Sequence, residues 1–180
     1  HWVAPAAKIM PLRVLDSNGL GNAFAIAEAI QYAAANQADV INLSLGSTGR
    51  TEILDAVARL SACAIPEVVT EPSTDFTDPG FNLDKQRCAL LRGAAVIAAA
   101  GNDGSESLRH YPAAEGAYGL LSVTASDSAN RVAEFANYGG WIDLAAPGEG
   151  LTAPVAGGGY ATWSGTSMAA GVVSGAAALL

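Results

Sequence analysis

The sequence predicts an α/β fold built on a mainly parallel sheet, and three observations carry that prediction. Short apolar runs alternate along the chain with longer segments of helical period. At 180 residues, 51% hydrophobic and only 14% charged, the chain can bury the core of one domain, which excludes disorder. The composition leans on Ala, Gly and Val rather than on aromatics, which suits closely packed helices and strands.

Taken in order, Lys8 to Leu15 reads as a buried strand. Asn22 to Asn36 follows as a helix, with Phe24, Ile26, Ala27, Ile30 and Ala34 on its inner side. Val40 to Leu45 is the next strand, and Thr51 to Ala62 the next helix. Ala94 to Ala100 reads as a third strand, with Leu120 to Ala125 and Trp141 to Ala145 as two more. A last helix begins near Ser167, and its apolar run from Met168 to Leu180 is too short to span a bilayer.

Residues 64–86 interrupt this rhythm with Pro66, Pro72, Pro79 and Gly80, and read as a surface insertion. Their acids, among them Glu67, Glu71, Asp75, Asp78 and Asp84, lack the spacing of a dedicated calcium loop, so a solvated loop is expected. Calcium is left only as a ligand of a longer parent protein, and no other cofactor is expected. Cys63 and Cys88 flank the stretch; they either close it as a disulfide in an exported protein or stand as two thiols in a cytosolic one. An acidic, proline-broken excursion gains most from a staple, which favours the disulfide and a secreted or cell-surface location.

Charge narrows the partners. The net charge is −8, and no Lys/Arg cluster offers a surface to nucleic acid or an anionic membrane. Both ends are abrupt: Leu180 closes an apolar helix without a capping Gly, and His1-Trp2-Val3 reads as mid-domain sequence. The expectation is one partial domain over 1–180, truncated at both ends, whose uncovered apolar faces drive self-association.

Four segments bear on chemistry. Gly165-Thr166-Ser167-Met168-Ala169 opens the last helix. A serine there is ordinarily an N-cap; as a nucleophile, it would sit in the positive end of the helix dipole, where an anionic intermediate is favoured. Ala99-Ala100-Gly101-Asn102 ends a strand. Asn after Gly is ordinarily a turn, yet its amide can also donate to a developing oxyanion. Ser44-Leu45-Gly46 closes the second strand, and Asp16 to Gly21 joins strand to helix. The Gly19-x-Gly21 spacing imitates a dinucleotide fingerprint, but Phe24 occupies the third position, where a small residue is needed.

These segments, in this order, resemble the subtilisin-like (subtilase) family. The likeness is carried by Asp39 to Gly46, Ala99 to Asn102, Gly165 to Ala169, Tyr111-Pro112 and Ala146-Pro147-Gly148. It implies a three-layer αβα fold and a serine endopeptidase acting on peptide or protein substrates. It further implies Ser167 as nucleophile and Asn102 as side-chain oxyanion donor, with the Ser167 N–H as the second donor. Gly19, Leu20 and Gly21 would form one edge for an extended substrate, and Ser44, Leu45 and Gly46 the other. Ala99 to Asn102, with the region of His110, would bound the S1 pocket, and Ala99, Ala100, Gly101 and Thr166 would be among the substrate-binding residues.

Two departures qualify the likeness. The family's aspartate strand and His-bearing helix have no counterpart here, and neither His1 nor His110 fits the role of base. Gly171-Val172 stands where the family has Pro-His. The chain is therefore expected to be inactive by itself. The alternative is a non-catalytic peptide-binding or scaffolding module on the same fold.

Overall fold

Residues 3–51, 94–116 and 119–180 are described by a computed structural model. The helix expected from Thr51, the 64–86 insertion and both cysteines lie outside these residues, apart from Thr51 itself.

Helix α1 (Ala23–Ala35) starts where Asn22 caps it, its Oδ1 accepting from the Ala25 N–H at 2.8 Å. Its buried stripe is Ile26, Ala27, Ile30, Ala33 and Ala34, at the i, i+1, i+4, i+7, i+8 spacing of one helical face. Phe24, expected inside, is 60% exposed, because two residues before Ile26 it points away from that stripe.

Four strands follow: β1 (Val40–Leu43), β2 (Ala95–Ala99), β3 (Leu120–Ser126) and β4 (Leu144–Pro147). They form a parallel sheet in the order β1-β2-β3-β4. Alternation along β2 divides the core. Val96 and Ala98 join Ile26, Ile30, Ile41, Leu43 and Leu120 on the α1 side. Ile97 and Ala99 join Val123, Ala125, Ala169 and Ala170 on the other side, under helix α2 (Thr166–Ala177). The result is the expected helix–sheet–helix sandwich. Burial of β2 on both faces explains why it reads as an unbroken apolar run.

Other expectations are corrected. Lys8 to Leu15 forms no strand: Ile9 is 64% exposed, and Pro11 cannot donate to a ladder. The strand expected from Trp141 begins instead at Leu144, because Asp143 is held back on Ser122; its Oδ2 accepts from both Ser122 N (2.8 Å) and Ser122 Oγ (2.7 Å). An antiparallel hairpin of β5 (Leu151–Pro154) and β6 (Tyr160–Trp163) was not anticipated. Gly157, Gly158 and Gly159, all at positive φ, lie between its strands and are the signal that could have revealed it.

Between β4 and this hairpin, Gly148 lets two segments meet. A Cβ there would lie 2.5 Å from Ala125 Cβ and 2.9 Å from Gly165 O. The Gly148 carbonyl accepts from Gly165 N at 2.8 Å, which anchors the entrance of α2 to the sheet. Gly148→Ala is therefore expected to destabilise the fold by about 1–3 kcal/mol through overpacking. Thermal unfolding should show this as a lowered Tm.

Candidate active site

The strand ends deliver the candidate residues to one place. A glycine at the N-cap, Gly165, leads into α2, so Thr166 and Ser167 occupy its first turn. β2 exits through Gly101, whose φ of +102° suits glycine alone. A Cβ on Gly101 would lie 2.5 Å from Asn137 Nδ2 and 2.7 Å from the His110 ring. The turn at Gly101 thus places Asn102 beside the N-terminus of α2.

There the Asn102 side chain is fixed in one orientation. Its Oδ1 accepts from Thr166 N at 2.8 Å and from Thr166 Oγ1 at 3.0 Å. Thr166 Oγ1 in turn accepts from Gly101 N at 3.1 Å. With its oxygen committed, Asn102 has its Nδ2 hydrogens left as donors.

Asn102 and Ser167 line the same cavity of about 260 Å³, with Leu45, Gly46, Ala99, Gly101, Asp103, His110 and Thr166. Ser167 is half-buried. Its Oγ donates to the Ser44 carbonyl at 3.1 Å, while Ser44 Oγ donates to the Ser167 carbonyl at 2.7 Å. Asn42 Nδ2 donates to Ser44 Oγ at 2.9 Å and Ser174 Oγ to Asn42 Oδ1 at 3.0 Å, so a polar chain ties α2 to β1.

The far wall is held by a two-way bridge between Ser47 and Tyr111, with N···O distances of 3.0 and 2.8 Å. It brings His110 against Gly46, where a Cβ would meet the His110 Cβ at 3.5 Å. His110 Nε2 lies 2.7 Å from Asp103 Oδ2, a contact at ion-pair distance rather than a hydrogen bond. This is the pocket-wall position expected of His110. Asp103, not singled out in the sequence, joins it.

Not every expected residue reaches the cavity. Ala100 is fully buried, its N–H donating to Val123 O and its carbonyl accepting from Asn137, so neither group is left for a substrate. Gly19, Leu20 and Gly21 are exposed and are not among the lining residues. They belong to a turn in which Asp16 Oδ1 accepts from Asn18 N and Leu20 N at 2.8 and 2.9 Å. Those backbone donors hold the Asp16 carboxyl below its ordinary range. A Cβ on Gly21 would lie 2.5 Å from Val14 O, so this turn requires a glycine there.

Chemically, a hydroxyl at a helix N-terminus, an amide donor aimed beside it and a cavity between them can accommodate a carbonyl under attack. Among the described residues, no imidazole accepts a hydrogen bond from Ser167 Oγ.

Known proteins similar to this chain match nearly all of it. The chain is 37% identical over 178 residues to the thermophilic serine proteinase of Bacillus sp. (strain AK1), covering 99% of this chain and 37% of that protein. It is 32% identical over 168 residues to the minor extracellular protease Epr of Bacillus subtilis (strain 168), covering 93% of this chain and 21% of that one. The crystal structure of a cold-adapted subtilisin-like serine proteinase superposes with a TM-score of 0.74 at 28% identity, over 98% of this chain and 54% of that one. The chain thus spans roughly a fifth to a half of the length of these proteins. The Peptidase S8 model, described as the subtilase family, matches residues 1–180, and the chain belongs to that family.

Proposed function

We propose that the protein containing this chain is a serine endopeptidase that cleaves peptide bonds through an acyl-enzyme on Ser167. One observation carries the reading: both hydrogen bonds to Asn102 Oδ1 come from Thr166, so its Nδ2 is the donor left at the cavity it shares with Ser167.

In this reading the Ser167 hydroxyl attacks the scissile carbonyl, and the oxyanion is held by Asn102 Nδ2 and the Ser167 N–H. The substrate strand lies against Leu45 and Gly46 on one side, with Gly19 to Gly21 as the outer edge of a longer groove. Its P1 side chain enters the cavity walled by Ala99, Gly101, Thr166 and His110. The proposed reaction draws on side chains, backbone N–H groups and the water that releases the acyl group from Ser167, and no cofactor is proposed. A secreted location fits the extracellular relative named above, and no helix among the described residues is long and apolar enough to cross a membrane.

Among the described residues, no side chain is placed to take the Ser167 proton. A serine hydroxyl needs a histidine to take its proton, and a carboxylate to orient that histidine. Here Ser167 Oγ is engaged by a carbonyl instead. The 180-residue chain alone is therefore expected to react negligibly with a fluorophosphonate, since acid–base transfer contributes about 10²–10⁴. The full-length protein is expected to be labelled stoichiometrically on Ser167, as read by peptide mass. Brisk labelling of the isolated chain would overturn its inertness; an unlabelled Ser167 in the full-length protein would overturn the peptidase reading.

A further inference from the structure

Asn137 is fully buried, yet it lies behind the oxyanion segment as a polar hub. Its Nδ2 lies at hydrogen-bond distance from three acceptors: Ala100 O at 3.0 Å, Asp103 Oδ2 at 3.2 Å and Leu108 O at 3.3 Å. Its Oδ1 accepts from Asp103 N at 3.0 Å and Ser105 N at 3.2 Å. Its own N–H donates to Gly101 O at 3.0 Å, and its carbonyl accepts from the buried Thr124 Oγ1.

These contacts are arranged around one short piece of chain. Asn137 holds the peptide groups on both sides of Gly101 by their carbonyls, and the N–H of Asp103, just after Asn102. From the opposite side, Thr166 holds Gly101 N and Asn102 Oδ1. Asn102 itself is exposed, so its aim depends on these two buried anchors. Thr166 fixes the rotation of the amide; Asn137 fixes the backbone from which the amide projects. A buried amide with every hydrogen-bonding position occupied is a rigid strut.

We infer that Asn137 is a positioning residue for the oxyanion donor, acting through the backbone of Ala100 to Asp103 without touching substrate. The inference rests on the reading of Asn102 as that donor. Its prediction is selective, because a misaimed donor weakens the transition state more than the bound substrate.

The test is Asn137→Ala in the full-length protein, with functional sites counted by burst titration. The expected result is a fall in kcat per titrated site of about 10- to 100-fold, short of the 10²–10³ for deleting a donor. KM should stay within about twofold, and a peptide aldehyde should lose affinity by the same factor as kcat/KM. In the double variant with Asn102→Ala, the Asn137 effect should largely vanish, since the donor it aims is gone. Should Asn137→Ala not fold, the near-isosteric Thr124→Val must show the same pattern at a few-fold amplitude, because it removes only the hydroxyl contact to the Asn137 carbonyl. A lower Tm or titrated fraction with unchanged kcat per site, in whichever variant folds, overturns the positioning role. If Asn102→Ala alone leaves kcat unchanged, the oxyanion reading itself has failed; if it lowers kcat while the Asn137 and Thr124 changes do not, only the positioning inference has.

Discussion

Ser167→Ala is expected to remove essentially all peptide hydrolysis from the full-length protein while leaving its fold in place. Loss of the nucleophile costs about 2 × 10⁶ in kcat in subtilisin, and the proposed role of Ser167 predicts an effect of that order. Structurally, the substitution deletes one hydrogen bond, from Ser167 Oγ to the Ser44 carbonyl at 3.1 Å, worth about 0.5–1.5 kcal/mol. The stronger partner contact survives, because Ser44 Oγ donates to the main-chain carbonyl of position 167. Turnover on a peptide substrate, read beside the Tm, separates the two effects. Hydrolysis surviving at more than about a thousandth of the parent rate would assign the chemistry to another group.

The second large effect is at Asn102. Asn102→Ala should lower kcat by about 10²–10³, again the magnitude known from subtilisin, which is about 2.7–4 kcal/mol of transition-state stabilisation. The alanine variant also strands the Thr166 N–H, whose acceptor is Asn102 Oδ1, at a stability cost of about 1–3 kcal/mol. Asn102→Asp separates the two contributions. A carboxylate keeps an oxygen for Thr166 but turns the donor into a negative acceptor facing the oxyanion. The Asp variant should therefore retain more stability than Ala and lose at least as much activity. Steady-state kinetics and thermal unfolding on both variants check the ordering; equal activity in Asp and parent would remove Asn102 from the reaction.

How much of this was legible in the sequence follows from which interactions are local. β2 could be read because a strand buried on both faces is a continuous apolar run. The inner face of α1 could be read because its period is intrinsic, although Phe24, read as part of that face, lies off the stripe. Lys8 to Leu15 failed for the opposite reason: a strand exists only where a neighbour pairs with it, and no local pattern shows the neighbour. At the site, Ser167 and Asn102 stood out as residues at element ends. Asn137 did not, since it was not among the segments singled out and nothing in its local sequence marks it. Its side-chain partners come from segments 29 to 37 residues away, which no local period encodes. Asp103 was equally silent, being one acid in a polar loop until the fold sets it beside His110.

The paired hydroxyls of Ser44 and Ser167 are separated by 123 positions in the chain. Neither can find its carbonyl until the strand end and the helix entrance have docked, so this exchange is among the most non-local of the contacts between described residues. A nascent or partly unravelled chain accordingly contains the serine but not its docked surroundings. Whatever Ser167 does in the mature protein, its hydroxyl acquires this setting only when the two segments have met.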